Sequence, residues 1–238
     1  MIMIKMKKFA AIIILVILSG CSSSASVQLT NEFPQVLAKP KPLSAAVVFE
    51  PSFATYVAKP NAKTMIDIGA AQVRLLRNAF AGLFSKLEFV ASREEITAEN
   101  AMVIIPSVRE VQVSTPSDNY LNVFEVWIKY NLDLETVDGE AIDSWFMPAY
   151  GKTPDAFMAS KGEAIEEASI IALRDAGAKL MLDFYRIPAV NNWVAEEQRR
   201  VRTSTAQQIQ AQVDLEPEAQ TNRQLVDAQQ ANSTEASK

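Results

Sequence analysis

One stretch limits the fold of this chain more than any other. From Phe124 to Glu135, apolar residues recur at every second position, and polar residues fill the positions between them except at Trp127. Phe124, Val126, Ile128, Tyr130, Leu132 and Leu134 share one parity, and Glu125, Trp127, Lys129, Asn131, Asp133 and Glu135 share the other. Period two over this length is the pattern of an antiparallel strand with one face buried and one open. Asp138-Gly139 follows and supplies the positive φ angles of a tight hairpin. The returning strand is then Ala141 to Ala149, with Trp145 opposite Leu132 and Met147 opposite Tyr130 on the buried side. That register puts Asp143 beside Leu134 and facing inward, so a bulge or fraying is expected near the turn.

Other elements follow from the same rules. Ala45 to Phe49 is a short apolar run closed by Pro51 and reads as a strand buried on both faces. Residues 51–63 read as a loop. Thr64 to Leu87 reads as one long helix, with Thr64 and Asp67 as an N-cap pair and a stripe of Gly69, Val73, Leu76, Phe80, Leu83, Phe84 and Leu87. That stripe is core, or the lining of a ligand groove. Glu88 to Ala91 is a short returning strand, and Ser92 with Glu95 is spaced as a capping box. Met102 to Val113 is a strand containing Pro106. Proline donates no ladder hydrogen bond, so the strand lies at an edge or carries a bulge. Residues 115–119 form a turn. Ser160 and Glu163 open a second helix that runs to about Tyr185, with Ile170, Leu173, Gly177, Leu180, Met181 and Phe184 inward. The order predicts an α+β domain over residues 44–195: a mixed four- to five-stranded sheet with two main helices packed on one face.

Composition excludes several chemistries. The chain has 238 residues, one cysteine and no histidine. No intramolecular disulfide, His-containing zinc site or His-based nucleophile system can be built from these residues. The net charge of −5 argues against nucleic acid as a partner. No glycine-rich phosphate loop is present, and neighbouring acids such as Glu94/Glu95 and Glu166/Glu167 do not converge on one substrate. No cofactor, metal or catalytic residue is expected, and the chain reads as a non-enzyme.

The N-terminus reads as a processing signal. Lys5, Lys7 and Lys8 precede ten apolar residues, Phe9 to Leu18, which is the architecture of a signal peptide. Leu18-Ser19-Gly20-Cys21 resembles the lipobox of bacterial lipoproteins at all four positions. The resemblance implies cleavage before Cys21, diacylation of its thiol and acylation of the new amino group. Three chains would anchor the protein durably. Ser22, in place of the Asp that enteric-type sorting retains at the inner membrane, implies the outer membrane. Residues 21–43 read as a lipidated tether. Residues 196–238 hold nine glutamines, no aromatic residue and no glycine, and read as a disordered or loosely helical tail.

The element order over residues 44–186, with the lipobox and the Asp138-Gly139 hairpin, resembles a group of bacterial envelope domains. These are the N-terminal domain of the Tol-system propeller protein, the curli-secretion lipoprotein, the lipoprotein partner of the LPS translocon, and the lipoprotein activators of peptidoglycan synthases. The resemblance implies a non-enzymatic accessory of an envelope protein complex, bound to the outer membrane through its N-terminal lipid. Trp127 sits on the polar parity of its strand and, with Tyr120 and Tyr150, is the candidate interaction surface. Two alternatives stay open: a lipid- or glycan-binding module with a groove between helices and sheet, and a cell-wall hydrolase working through two carboxylates.

Overall fold

Two sheets share the work of the fold in a computed structural model, which describes residues 24–29, 33, 37–99, 101–154 and 160–210. Cys21, the lipobox and residues 211–238 lie outside the described residues. The chain divides into two units, Met1–Phe184 and Tyr185–Lys238.

In the first unit the order is β1 (Ala25–Gln28), β2 (Lys41–Val48), α1 (Pro51–Ala54), β3 (Val57–Asn61), β4 (Thr64–Asp67), α2 (Gly69–Leu83), β5 (Phe84–Val90), a 3-10 turn (Arg93–Glu95), β6 (Met102–Ser114), β7 (Val123–Thr136), β8 (Ala141–Pro154) and α3 (Lys161–Asp183). The main sheet has five strands in the order β5-β2-β6-β7-β8. The β5–β2 and β2–β6 pairs are parallel and the rest antiparallel. This is the mixed α+β architecture expected. A second sheet, β1-β4-β3, was not expected.

The β7–β8 hairpin follows its sequence closely. Leu132 pairs with Trp145, Tyr130 with Met147 and Leu134 with Asp143, and the register slips between Leu134 and Glu135. Gly139 has φ +90°, a conformation that costs a glycine nothing. Arg93 reaches across to this turn. Its guanidinium pairs with Glu135 and donates to the carbonyls of Thr136 and Val137 at 3.1 Å. In β6 the register slips between Val108 and Glu110, and β2 covers only Met102–Ile104, so Pro106 meets no partner on that side. The expected bulge and local edge both occur.

The segment expected to be one helix from Thr64 to Leu87 is a strand, a helix and a strand. Thr64 and Ile66 are buried while Met65 is exposed, a period-two pattern too short to stand out in sequence. The helix starts at Gly69 because the chain is pinned there. The N–H groups of Ile68 and Gly69 both donate to the Tyr56 carbonyl, at 3.2 and 3.1 Å. A Cβ on Gly69 would sit 2.4 Å from the Ala54 oxygen, so only glycine lets the helix begin against that backbone. At the other end, Phe84 turns to extended geometry and the chain enters β5 with no intervening loop. Residues 51–63, expected as loop, form α1 and β3. The expected tether already contains β1, which pairs in parallel with β4.

Helices α2 and α3 lie on one face of the main sheet. Ser160 caps α3 by accepting the Glu163 N–H at 3.2 Å, as the capping box predicts. The helix meets β8 at Gly151, where a Cβ would stand 2.0 Å from the Ala168 oxygen. Between the helices, Gly177 makes room for Leu75. The core runs through Phe80, Phe84 and Phe184, whose rings meet edge-on with centroids 5.7 and 6.3 Å apart. All three are buried, so the phenylalanine stripe is core and lines no groove. Inside this layer, Tyr130 Oη donates to Gln72 Oε1 at 3.1 Å, and Gln72 Nε2 donates to the Phe53 carbonyl at 2.7 Å. Gln72, which is not part of the apolar stripe, is fully buried.

In the second unit, residues 188–210 are helical. Pro188 follows the end of α3 and stands at the first position of the next helix, where its missing N–H costs nothing. Residues 196–210 of the glutamine-rich segment are helical, and the rest of it lies outside the described residues. Arg200 and Glu197 pair one turn apart at 3.5 Å.

Candidate functional site

The strand alternation that builds the core also builds the opposite face. On β7 the outward residues are Glu125, Trp127, Lys129, Asn131, Asp133 and Glu135, and on β8 they are Lys152, Tyr150, Pro148, Phe146 and Ser144. Gly151, on the buried parity of β8, faces α3, so the outward parity is turned away from that helix. Trp127 pairs directly with Tyr150, with ring centroids 4.4 Å apart and planes tilted by 40°. Phe146 stands two outward positions from Tyr150 on the same strand, with Pro148 between them. Trp127 is 40% exposed and Phe146 49%. Burying such rings is worth about 1.5–3 kcal/mol each, which makes this face a candidate contact surface.

Polar groups fix these rings in place. Tyr150 Oη donates to Glu125 Oε1 at 2.6 Å. Partial burial, then that carboxylate, pushes the Tyr150 phenol up to about 12. Lys129 Nζ bonds Glu110 Oε2 at 2.6 Å across β6 and β7, and this bond, with Gln112, holds the Glu110 carboxyl below its usual range. Asn131, Ser144 and Asp133 form a closed triangle of hydrogen bonds of 2.6–2.9 Å beside Phe146. The result is a flat aromatic patch in a rigid polar frame.

Of the three aromatic residues expected at the surface, Trp127 and Tyr150 come together and Tyr120 does not. Tyr120 stands on the loop between β6 and β7, fully exposed next to Leu121. Phe146 was missed. The signal was available, because a register that turns Trp145 and Met147 inward turns Phe146 outward. Cys21 lies outside the described residues.

A cleft of about 220 Å³ opens between α2 and α3. Leu75, Ala79, Gly177, Ala178 and Met181 line it, with Asn78 and Arg174 among its polar groups. Each carboxylate with a resolved shift (Glu88, Glu94, Glu110 and Asp118) is held lower than usual, with hydrogen-bond donors as the leading cause. Among the described residues, no group of three Cys, Asp or Glu could hold a metal ion. No helix among them is long and apolar enough to cross a membrane.

No family model matches the chain, and neither does any curated protein. Solved structures do resemble it. A Xanthomonas campestris protein of the DUF330 family aligns over 67% of this chain and 90% of its own, at 12% identity and a TM-score of 0.40. A minor lipoprotein from Acinetobacter baumannii covers 67% and 96%, at 13% identity and a TM-score of 0.35. A Helicobacter pylori protein described as a homologue of a neuraminyllactose-binding hemagglutinin covers 72% and 100%, at 12% identity and a TM-score of 0.43. At these values the likenesses carry no functional argument.

Proposed function

We propose that this protein is a lipid-anchored periplasmic accessory of an outer-membrane export or envelope-biogenesis complex, acting by protein–protein contact and without catalysis. The observation that carries the reading is the Trp127–Tyr150–Phe146 patch on the open face of the main sheet. It is aromatic at its centre and polar at its rim, the anatomy of a protein contact surface. The lipobox resemblance at Cys21 supplies the anchor and the compartment.

The test is a photo-reactive residue placed at Trp127 or Phe146 in growing cells. The reading expects a discrete adduct with an envelope protein from both positions, and none from Leu182, which is exposed on α3. No adduct from the sheet face, or equal adducts from Leu182, defeats it.

One observation favours a lipid- or glycan-binding module, namely the cleft between α2 and α3. Its 220 Å³ falls below the roughly 300 Å³ at which small-molecule pockets begin, so it ranks second. Hydrolysis by paired carboxylates needs one acid with a raised pKa. The carboxylates with resolved shifts move the other way.

A further inference from the structure

We infer that the loop between β6 and β7 seats Tyr120 and Leu121 in the surface of the lipid bilayer that holds the chain. This rests on the lipid anchor at Cys21 and goes beyond it, because it fixes which end of the first unit faces the membrane.

The loop is built to hold its tip rigid. Asp118 Oδ2 accepts the Thr115 N–H at 2.9 Å and the Thr115 hydroxyl at 2.7 Å. Asn119 Nδ2 donates to Ser114 Oγ at 3.0 Å and to the Val123 carbonyl at 2.9 Å, while its Oδ1 accepts the Leu121 N–H at 3.1 Å. Asn122 takes φ +51°, which Asn tolerates better than most residues. On this frame Tyr120 is 105% exposed and Leu121 72%. Two adjacent side chains, one aromatic and one aliphatic, are thus held out in water by a loop whose Thr115, Asp118 and Asn119 bond within it.

The chain's direction says what covers them. Arg74 donates to the Leu29 carbonyl and Asn78 to that of Phe33, so the N-terminal segment runs parallel to α2. Leu75 meets Gly177 and Phe80 meets Phe184, so α2 runs parallel to α3. Traced backward from Leu29, β1 therefore heads toward the Lys161 end of α3. That end adjoins the loop, where Lys161 acts electrostatically on Asp118. Ala25 is four residues after Cys21, a reach of at most about 14 Å. The anchored end of the chain and the Tyr120–Leu121 tip share one pole.

Exposed lysines crowd the same pole. Lys63 carries the carbonyl that accepts the Ala25 N–H, Lys161 opens α3, and Lys152 lies near the end of β8. Carboxylates share the pole and stay ionised: Asp118, bonded by Thr115, Glu125, bonded by Tyr150, and Glu163 on the first turn of α3. Lysines around a Tyr-Leu tip suit an anionic headgroup layer, with the phenol at headgroup level and the leucine below it. Two side chains bind a bilayer weakly alone, but the anchor keeps them at high local concentration.

The test uses the full mature chain with Leu121→Cys. When Cys21 carries its lipid, the new thiol is the only free one and takes a polarity-sensitive fluorophore. A Glu140→Cys chain, labelled at the opposite hairpin, is the control. Both are reconstituted into phosphatidylethanolamine/phosphatidylglycerol vesicles containing a shallow spin-labelled lipid. The inference expects quenching at 121 to exceed that at 140 by about twofold or more. Equal, weak quenching with the lipid mass present on Cys21 overturns the inference and leaves the anchor standing. No lipid mass and no flotation with vesicles overturns both. A change at 121 that appears only when envelope proteins are added gives the tip to a protein and overturns the inference.

Discussion

Asp175 on α3 accepts the backbone N–H of Tyr150 on β8 at 2.9 Å. Lys179, one turn on, pairs with Asp175 at 2.8 Å and donates to the Pro148 carbonyl at 2.6 Å. β8 is the outer strand of the sheet, and its unpaired backbone groups would otherwise invite another strand. Helix side chains close that edge and leave the aromatic face beside it open. At Pro148 and Tyr150 the outer backbone groups of β8 are taken by helix side chains and are not offered to another strand. Asp175→Ala should lower stability by about 1 kcal/mol and promote self-association. Thermal unfolding and sedimentation velocity at two concentrations would show both effects, and a monodisperse variant would contradict the blocked-edge account.

Tyr130, Gln72 and the Phe53 carbonyl form the buried polar chain beneath the sheet. Tyr130→Phe keeps the ring but leaves Gln72 Oε1 without its donor. A loss of about 1–3 kcal/mol is expected from urea unfolding, with the slope unchanged.

Gly151 is the point where α3 touches β8. An added Cβ would meet the Ala168 oxygen at 2.0 Å and the Ala172 nitrogen at 2.4 Å, and both are backbone. Gly151→Ala should cost about 3 kcal/mol, since backbone yields less than a side chain. The same change at Gly162 meets only Ser160 Oγ at 3.7 Å and should be mild by comparison. Circular-dichroism melts of the two variants give the contrast directly.

The Tyr150 phenol titrates near 12 in the fold, against 10.0 for a free tyrosine. A raised folded pKa means the unfolded chain loses that proton first as pH climbs. The stability it contributes is complete below about pH 10 and is lost on the way to 12. Burial also raises Tyr130 and Tyr185, so the parent should lose stability over this range from several sources. Tyr150→Phe should flatten part of that slope, measured by urea unfolding between pH 9 and about 11. An unchanged slope would mean that neither burial nor the bond to Glu125 raises the phenol.

The β7–β8 hairpin was legible residue by residue. A half-buried antiparallel strand has one face in water, so its burial pattern is written in its alternation, and an Asp-Gly turn sets the register. The bulges in β6 and β8 were legible too, one from Pro106, the other from Asp143 facing inward. The α3 cap was readable from Ser160 and Glu163. The aromatic site was half legible: Trp127 from its parity, Tyr150 as an aromatic on the returning chain, Phe146 only once the register was taken seriously.

The segment from Thr64 to Val90 shows what lay beyond reading. Phe80, Leu83, Phe84 and Leu87 keep a helical spacing across a boundary where the chain has already become a strand, because β2 offers Phe84 and Leu87 partners that no local rule can see. β1, β3 and β4 are four or five residues long, too short for periodicity to register, and they exist because they pair with one another. Local chemistry along the chain determined turns, caps and the two faces of the longest strand, since each depends on neighbours a few residues away. Only tertiary structure decided where short strands form, which aromatic rings share a surface and which strands pair, since those depend on residues that meet only after the chain has closed on itself.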